Sequence, residues 1–268
     1  MAEVLELKTD KIIVEIDDGI GWLTFNNPER RNAISLAMWE AMGTSLEYFQ
    51  HHKAVRVVVM KGAGDKAFVS GADISEFETK RGNLKQSQEY AEVQAKANLW
   101  LKKIDKPLIA MIQGYCVGGG LATALNADIR FATPDSQFGI PAAKLGLGYE
   151  YAGSSALARL VGPSHARDIL FSARLLNADE AYRMGLINFL CSQSELEAQV
   201  REYANQIASR APLTLKLFKE SINQYETNPE DRDYDLLKGM VETCFSSDDY
   251  KEGRQAFMEK RTPKFTGV

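Results

Sequence analysis

The stretch GYCVGGGLATALNAD, residues 114–128, passes from the end of an apolar strand through three glycines into a helix-forming run, and the purpose of those glycines decides the fold. Glycine at such a junction lets a ligand come close to the main chain, where an N–H at a helix start also carries the positive end of the helix dipole. A dinucleotide-binding turn has the same element order, but the spacing here is wrong for it. Thr123 takes the place of the final glycine or alanine, and the stretch lies mid-chain. Alone, Gly118, Gly119 and Gly120 would equally suit a tight turn or close helix packing. KAFVSGADISEF, residues 66–77, tips the balance by placing a second set of small residues at a second strand end. Two N–H groups from separate loops make an oxyanion hole.

Around these stretches, strands and helices alternate. KIIVEIDDGIGWLTFNNP reads as two strands joined through Asp-Gly. Ser35 then precedes a helix carrying Leu36, Trp39, Met42 and Leu46 at helical spacing. VRVVVMKG is a buried strand, QSQEYAEVQAKANLWLKKI a long helix, and PLIAMIQG a strand ending at Gly114, with the helix LATALNAD after the glycines. IRFATP and QFGI read as short strands, SALARLVG, SHARDILFS and NADEAYRMG as successive helices, and INFLCS as a last strand. From Ser194 onward every segment has helical period, which divides the chain into an α/β core over 1–193 and a helical region over 194–268. The apolar faces of that region exceed what one layer on the core needs and predict packing against another subunit.

Composition narrows the function. The 268 residues are 45% hydrophobic and 25% charged, enough for a large globular core. A net charge of −4 gives no general attraction to nucleic acid or an anionic membrane. No apolar run reaches the ~20 residues of a membrane span, and MAEVLELKTD lacks the features of a signal peptide, so the expectation is a cytoplasmic protein. Cys116, Cys191 and Cys244 are odd in number and widely spaced, as free buried thiols would be. His51, His52 and His165 show no metal-ligand spacing and read as surface or helix-end residues.

Taken together, NPERRNAIS, AFVSGADISEF, GGGLATALNADIRFA, FGIPAAKLGLG and EGRQAFMEKRTPKF resemble the crotonase family, the enoyl-CoA hydratases and isomerases, in order and spacing over nearly the whole chain. The resemblance implies a spiral of β-β-α units with a helical C-terminal region that builds homotrimers, often paired into hexamers. It implies an acyl-CoA substrate, no cofactor beyond the coenzyme A of that substrate, and no metal. The thioester oxygen would lie between the backbone N–H groups of Ala72 and Gly119, stabilising an enolate, each donor worth ~3 kcal/mol in the transition state. Asp73 and Ile74 match positions along the CoA path, although Asp73 equally suits a structural cap. Arg30 and Arg31 match the loop near the nucleotide end of CoA, and Phe257 and Lys260 match positions that reach a neighbouring subunit's CoA. Each of these four also has a plainer reading, as solvated arginines and an amphipathic terminal helix.

Where the family's hydratases carry two glutamates, this chain has Ala122 and Ala142. Water addition in that style needs two carboxylates to position the water and move its protons, and alanine can do neither. Glu150, in LGLGYEYAGSS, stands where related isomerases and dehalogenases carry an acid. It would serve as a lone base, taking a proton from C2 of a 3-enoyl thioester and returning it at C4, with an apolar setting raising its pKa. A solvated loop position is the plainer reading of the same residue. The dehalogenase version needs a histidine that EVQAKANLWLKKI lacks. The alternatives are a hydratase with a non-standard acid/base, such as Glu150 with Tyr149 or Tyr151, and a non-catalytic acyl-CoA- or RNA-binding relative.

Overall fold

The computed structural model describes residues 5–76, 84–149 and 151–268. Two sheets organise it. The larger runs β1 (Ile12–Asp17), β2 (Ile20–Phe25), β3 (Val57–Gly62), β5 (Leu108–Ile112), β7 (Ile129–Ala132) and β10 (Phe189–Leu190) in the order β1-β2-β3-β5-β7-β10. Within this sheet β1 and β2 pair antiparallel, through the Asp18-Gly19 turn that the sequence marks, and the other described pairs are parallel. The smaller sheet runs β4 (Ala67–Val69), β6 (Tyr115–Val117), β8 (Gln137–Gly139) and β9 (Leu176–Asn177).

Chain order interleaves the sheets. Each turn lays one strand in the large sheet and one in the small sheet, then runs into a helix or helical turn, so β3–β4, β5–β6 and β7–β8 are successive turns of one spiral. Within the small sheet, Val69 aligns with Cys116 and Cys116 with Phe138, so equivalent positions of successive turns stand side by side.

Period-two alternation explains why the large sheet is buried on both faces. Leu23, Phe25, Val58, Met60, Leu108 and Ala110 face one core, which also holds α1 (Leu36–His51) and part of α2 (Leu84–Lys103). Their neighbours Ile20, Trp22, Val57, Val59 and Ile109 face a second core, closed by Leu196, Val200 and Ala204 of α6 (Leu196–Ala208). Helix α6, the first helix of the C-terminal region, therefore packs directly on the sheet. Beyond it, α7 (Pro212–Glu226) and α8 (Tyr234–Ser246) bury no residue, and α9 (Asp248–Glu259) follows.

Helix α3 occupies Gly119–Ala124, starting and stopping earlier than LATALNAD suggests. Side chains take carbonyls of its last turn: Asn126 Nδ2 donates to Ala122 O at 2.8 Å and Arg130 Nη1 to Ala124 O at 3.4 Å, while Arg130 also holds Ala127 O in the turn that follows. SALARLVG and SHARDILFS form one span, α4 (Tyr151–Ser172), broken at Gly162 and Pro163, where proline removes a helical donor. Helix α5 (Ala178–Arg183) is opened by a capping box between Asn177 and Glu180. INFLCS contributes only the two residues of β10. All three cysteines are free thiols, with Cys116 and Cys191 buried. Among the described residues no helix is long and apolar enough to cross a membrane.

Candidate functional site

Two loops, one after β4 and one after β6, cross where both are small. The first, Ser70-Gly71-Ala72-Asp73, is strapped to the segment before α1: Ile34 N donates to Gly71 O at 2.8 Å and Asp73 N to Ile34 O at 2.9 Å. This parallel bridge uses the peptides on either side of Ala72, so the Ala72 N–H is turned to the opposite side of the strand. The second loop turns at Gly118, whose φ of 55° and ψ of −117° suit glycine. Gly118 N donates to Gly139 O at 2.8 Å, and Gly118 O accepts from Ala122 N at 3.0 Å. Gly119 then opens α3, where its N–H has no intrahelical acceptor. Neither the Ala72 nor the Gly119 N–H has an acceptor among the described residues.

The two groups are neighbours. A point one Cβ bond out from Gly119 lies 3.7 Å from Ala72 N and 3.7 Å from Cζ2 of Trp39. Helix α3 comes this close to β4 only because Gly120 has no side chain: a Cβ there would fall 2.1 Å from Val69 O. An unpaired pair of main-chain donors over a small-residue floor can hold one oxygen carrying negative charge.

Asp73 is held within its own loop and by Arg30. Its Oδ1 accepts from Ser75 N at 3.0 Å and Ser75 Oγ at 2.7 Å, and Arg30 Nη1 reaches the same carboxylate at 3.0 Å. Burial works against its charge, yet these donors hold its pKa below the usual carboxylate value. Arg30 is thus tied to the Ala72 loop while its side chain stays half exposed. Arg31 adopts a left-handed backbone (φ 52°) and lays its guanidinium 4.9 Å from the Tyr115 ring centroid. It lines a polar hollow with Asp65, Lys66, Asp135 and Gln137. Ile74 begins the helical turn Ile74–Glu76, with its side chain outside the described residues. Glu150 also falls outside the described residues.

Ala122 lies half-buried on α3, and Ala142 lies in the helical turn Pro141–Leu145, packed partly against the main core. Tyr149 packs on that same core. Its phenol oxygen is buried without a partner among the described residues, and burial pushes its pKa up to about 12. That hydroxyl stays protonated at neutral pH. Tyr151 is 82% exposed, as is Phe257 at 83%, and Lys260 caps the exposed end of α9. No hydrogen bond or ion pair among the described residues joins Phe257 or Lys260 to the two loops. His51 and His52 end α1, and His165 is exposed on α4.

Trp39 has the sequence signature of ordinary helix core, yet its Cζ2 lies 3.7 Å from the notional Cβ of Gly119. The sequence signal of Arg130 is weaker still, a lone cation inside the strand IRFA.

The model of the enoyl-CoA hydratase/isomerase family matches residues 15–268. A short-chain-enoyl-CoA hydratase of Clostridium acetobutylicum is 34% identical over 255 residues, covering 95% of this chain and 97% of that protein. A crotonyl-CoA hydratase of Syntrophomonas wolfei is 32% identical, covering 96% and 98%. Among solved structures, an enoyl-CoA hydratase/carnithine racemase from Magnetospirillum magneticum superposes with a TM-score of 0.90 at 34% identity, covering 97% of each chain.

Proposed function

This chain belongs to the enoyl-CoA hydratase/isomerase family, and from that premise we propose that it binds an acyl-CoA thioester with the carbonyl oxygen between the N–H groups of Ala72 and Gly119. The observation that carries this reading is the pair of unpaired main-chain donors from successive turns of the spiral. Negative charge reaches that oxygen when a proton leaves C2 or when a nucleophile adds at C3, so the pair serves either reaction.

Isomerisation is the reading that the acid inventory supports. Glu150 takes a proton from C2 of a 3-enoyl thioester, the electron pair moves into the carbonyl as a dienolate, and the same carboxyl returns the proton at C4, leaving the double bond at C2–C3. Hydration of a 2-enoyl thioester is the second reading, and the names of the relatives favour it. With Ala122 and Ala142 at the usual acid positions, hydration would rely on Glu150 and on the protonated Tyr149 hydroxyl as a donor.

Self-association belongs to the same proposal. Phe218, Tyr225, Tyr234 and Phe245 on α7 and α8 are all more than half exposed, a surface suited to further copies of this chain in a trimer or hexamer. Phe257 and Lys260 would then reach a neighbouring copy's CoA.

The test is incubation in heavy water with saturated, 2-enoyl and 3-enoyl CoA thioesters, followed by mass spectrometry of the products. Deuterium beside a migrated double bond, lost in Glu150→Gln, supports isomerisation. A 3-hydroxyacyl product supports hydration. Binding with neither change in any thioester overturns the enolate reading.

A further inference from the structure

Arg130 is 3% exposed, and no carboxylate of a described residue lies within ion-pairing distance of it. Asp128, the acid that interacts with it electrostatically, is instead bound to Lys219 Nζ at 2.9 Å and to Leu108 N at 2.7 Å. Every hydrogen bond of the guanidinium among the described residues goes to a backbone carbonyl. Nη1 donates to Ala124 O, the last residue of α3, at 3.4 Å and to Ala127 O, in the turn that follows it, at 2.6 Å, and Nε donates to Leu186 O at 2.8 Å, just past α5. Its own main chain is pinned by Asn188, which accepts from Arg130 N at 2.9 Å and donates to Arg130 O at 2.9 Å.

An unpaired buried cation is expensive to fold, and methionine or leucine would fill the space at less cost. What a hydrophobic residue cannot do is hold the end of a six-residue helix that no long hydrogen-bond ladder stabilises. Gly120 presses the start of that helix on Val69 O, so α3 is fixed at both ends. We propose that Arg130 is a positioning residue for the proposed oxyanion pair: by anchoring the far end of α3 it holds the Gly119 N–H in register with that of Ala72, and its charge lowers the energy of an enolate at the near end.

The charge persists at working pH. Burial pushes the Arg130 pKa down only to about 10. The Cys116 thiol, with which it interacts, is pushed up by its own burial and stays neutral. Helix α3 is about 9 Å long, which puts the guanidinium about 12 Å from the donors. At an effective dielectric near 20, a unit charge at about that distance is worth roughly ten-fold in rate.

The proposal rests on reading Ala72 and Gly119 as the donors, and one experiment separates the two. The carbonyl stretch of a bound, carbonyl-labelled saturated acyl-CoA is recorded by infrared difference spectroscopy for wild type, Arg130→Lys and Arg130→Gln, alongside kcat, KM and thermal melting. Absence of a downshift in wild type overturns the donor reading itself. With a wild-type downshift, the expected result is a smaller downshift in Arg130→Gln, with kcat lowered at least ten-fold, KM changed less than three-fold, and partial recovery of both signals in Arg130→Lys. A folded Arg130→Gln with wild-type downshift and kcat overturns the proposal. Failure of both variants to fold assigns Arg130 to core stability alone and overturns it equally.

Discussion

Adding one methyl at Gly120 tests whether the close seat of α3 on β4 matters. A Cβ there would lie 2.1 Å from Val69 O and 2.8 Å from both Val69 C and Val69 Cβ. Since non-bonded heavy atoms settle at about 3.5 Å, the helix must retreat from the strand by roughly 1 Å or more. The obstacle is backbone, so no side-chain rotation relieves it. Overpacking of this kind costs about 1–3 kcal/mol, and the better helix propensity of alanine returns up to about 1 kcal/mol. The net loss of about 1–2 kcal/mol should lower Tm by roughly 2–8 °C. Function should suffer more, because a displacement of about 1 Å in a positioned donor costs on the order of 100-fold in turnover. Gly239→Ala is the control. That glycine lies on α8 with no atom within 4 Å of its notional Cβ, so the substitution should stabilise by about 0.5–1 kcal/mol and leave turnover alone. Thermal melts and steady-state rates on the active thioester decide the matter. A Gly120→Ala protein with wild-type Tm and kcat would show that α3 need not sit where it does.

Lys106 donates to Phe49 O at 2.6 Å and His52 O at 2.8 Å, and burial is the main cause that lowers its pKa from 10.5 to about 8. Between those values the unfolded chain binds more protons than the folded one, so this group adds stability as pH rises from about 8 toward 10.5. Urea midpoints of wild type and Lys106→Met at pH 7.5 and pH 10 should therefore differ in slope, with the variant losing that rise. Asp73 has the opposite linkage: its pKa is depressed, so its stabilisation is present above the ordinary carboxylate range and disappears as pH falls through the lowered value. Asp73→Asn should cost about 1–3 kcal/mol at neutral pH and flatten the acid limb of the stability profile, read by denaturation at pH 3 and pH 7. On the proposed self-association, wild type should sediment as a trimer or hexamer and Phe218→Asp with Phe245→Asp as monomers in analytical ultracentrifugation. An unchanged sedimentation coefficient would remove α7 and α8 from the interface.

Much of this fold was legible in the sequence because its signals are local. Ser35 caps α1 by accepting from Met38 N, and the β1–β2 turn falls at Asp-Gly, both set by a few adjacent residues. The small-residue stretches after β4 and β6 were legible too, since a close main-chain approach leaves a mark in residue size. Less legible were features made by distant segments. The end of α3 depends on Arg130, and the setting of Ala72 depends on Ile34, which binds Gly71 and Asp73. The ties between Arg30 and Asp73, 43 positions apart, have no periodic signature.

The register of the small sheet explains why the two N–H groups proposed to hold the thioester oxygen come from adjacent turns. Ala72 lies three residues after Val69 and Gly119 three after Cys116, and Val69 and Cys116 are aligned partners, so the donors are the same address on consecutive floors of one staircase. Parallel strands stand about 4.8 Å apart, a span that one oxygen bridges with two hydrogen bonds of about 2.9 Å. The next floor up, reckoned from Phe138, brings Pro141 to that address, where the ring nitrogen has no hydrogen to give. Among the described turns, proline thus leaves the proposed pair without a third member on that side.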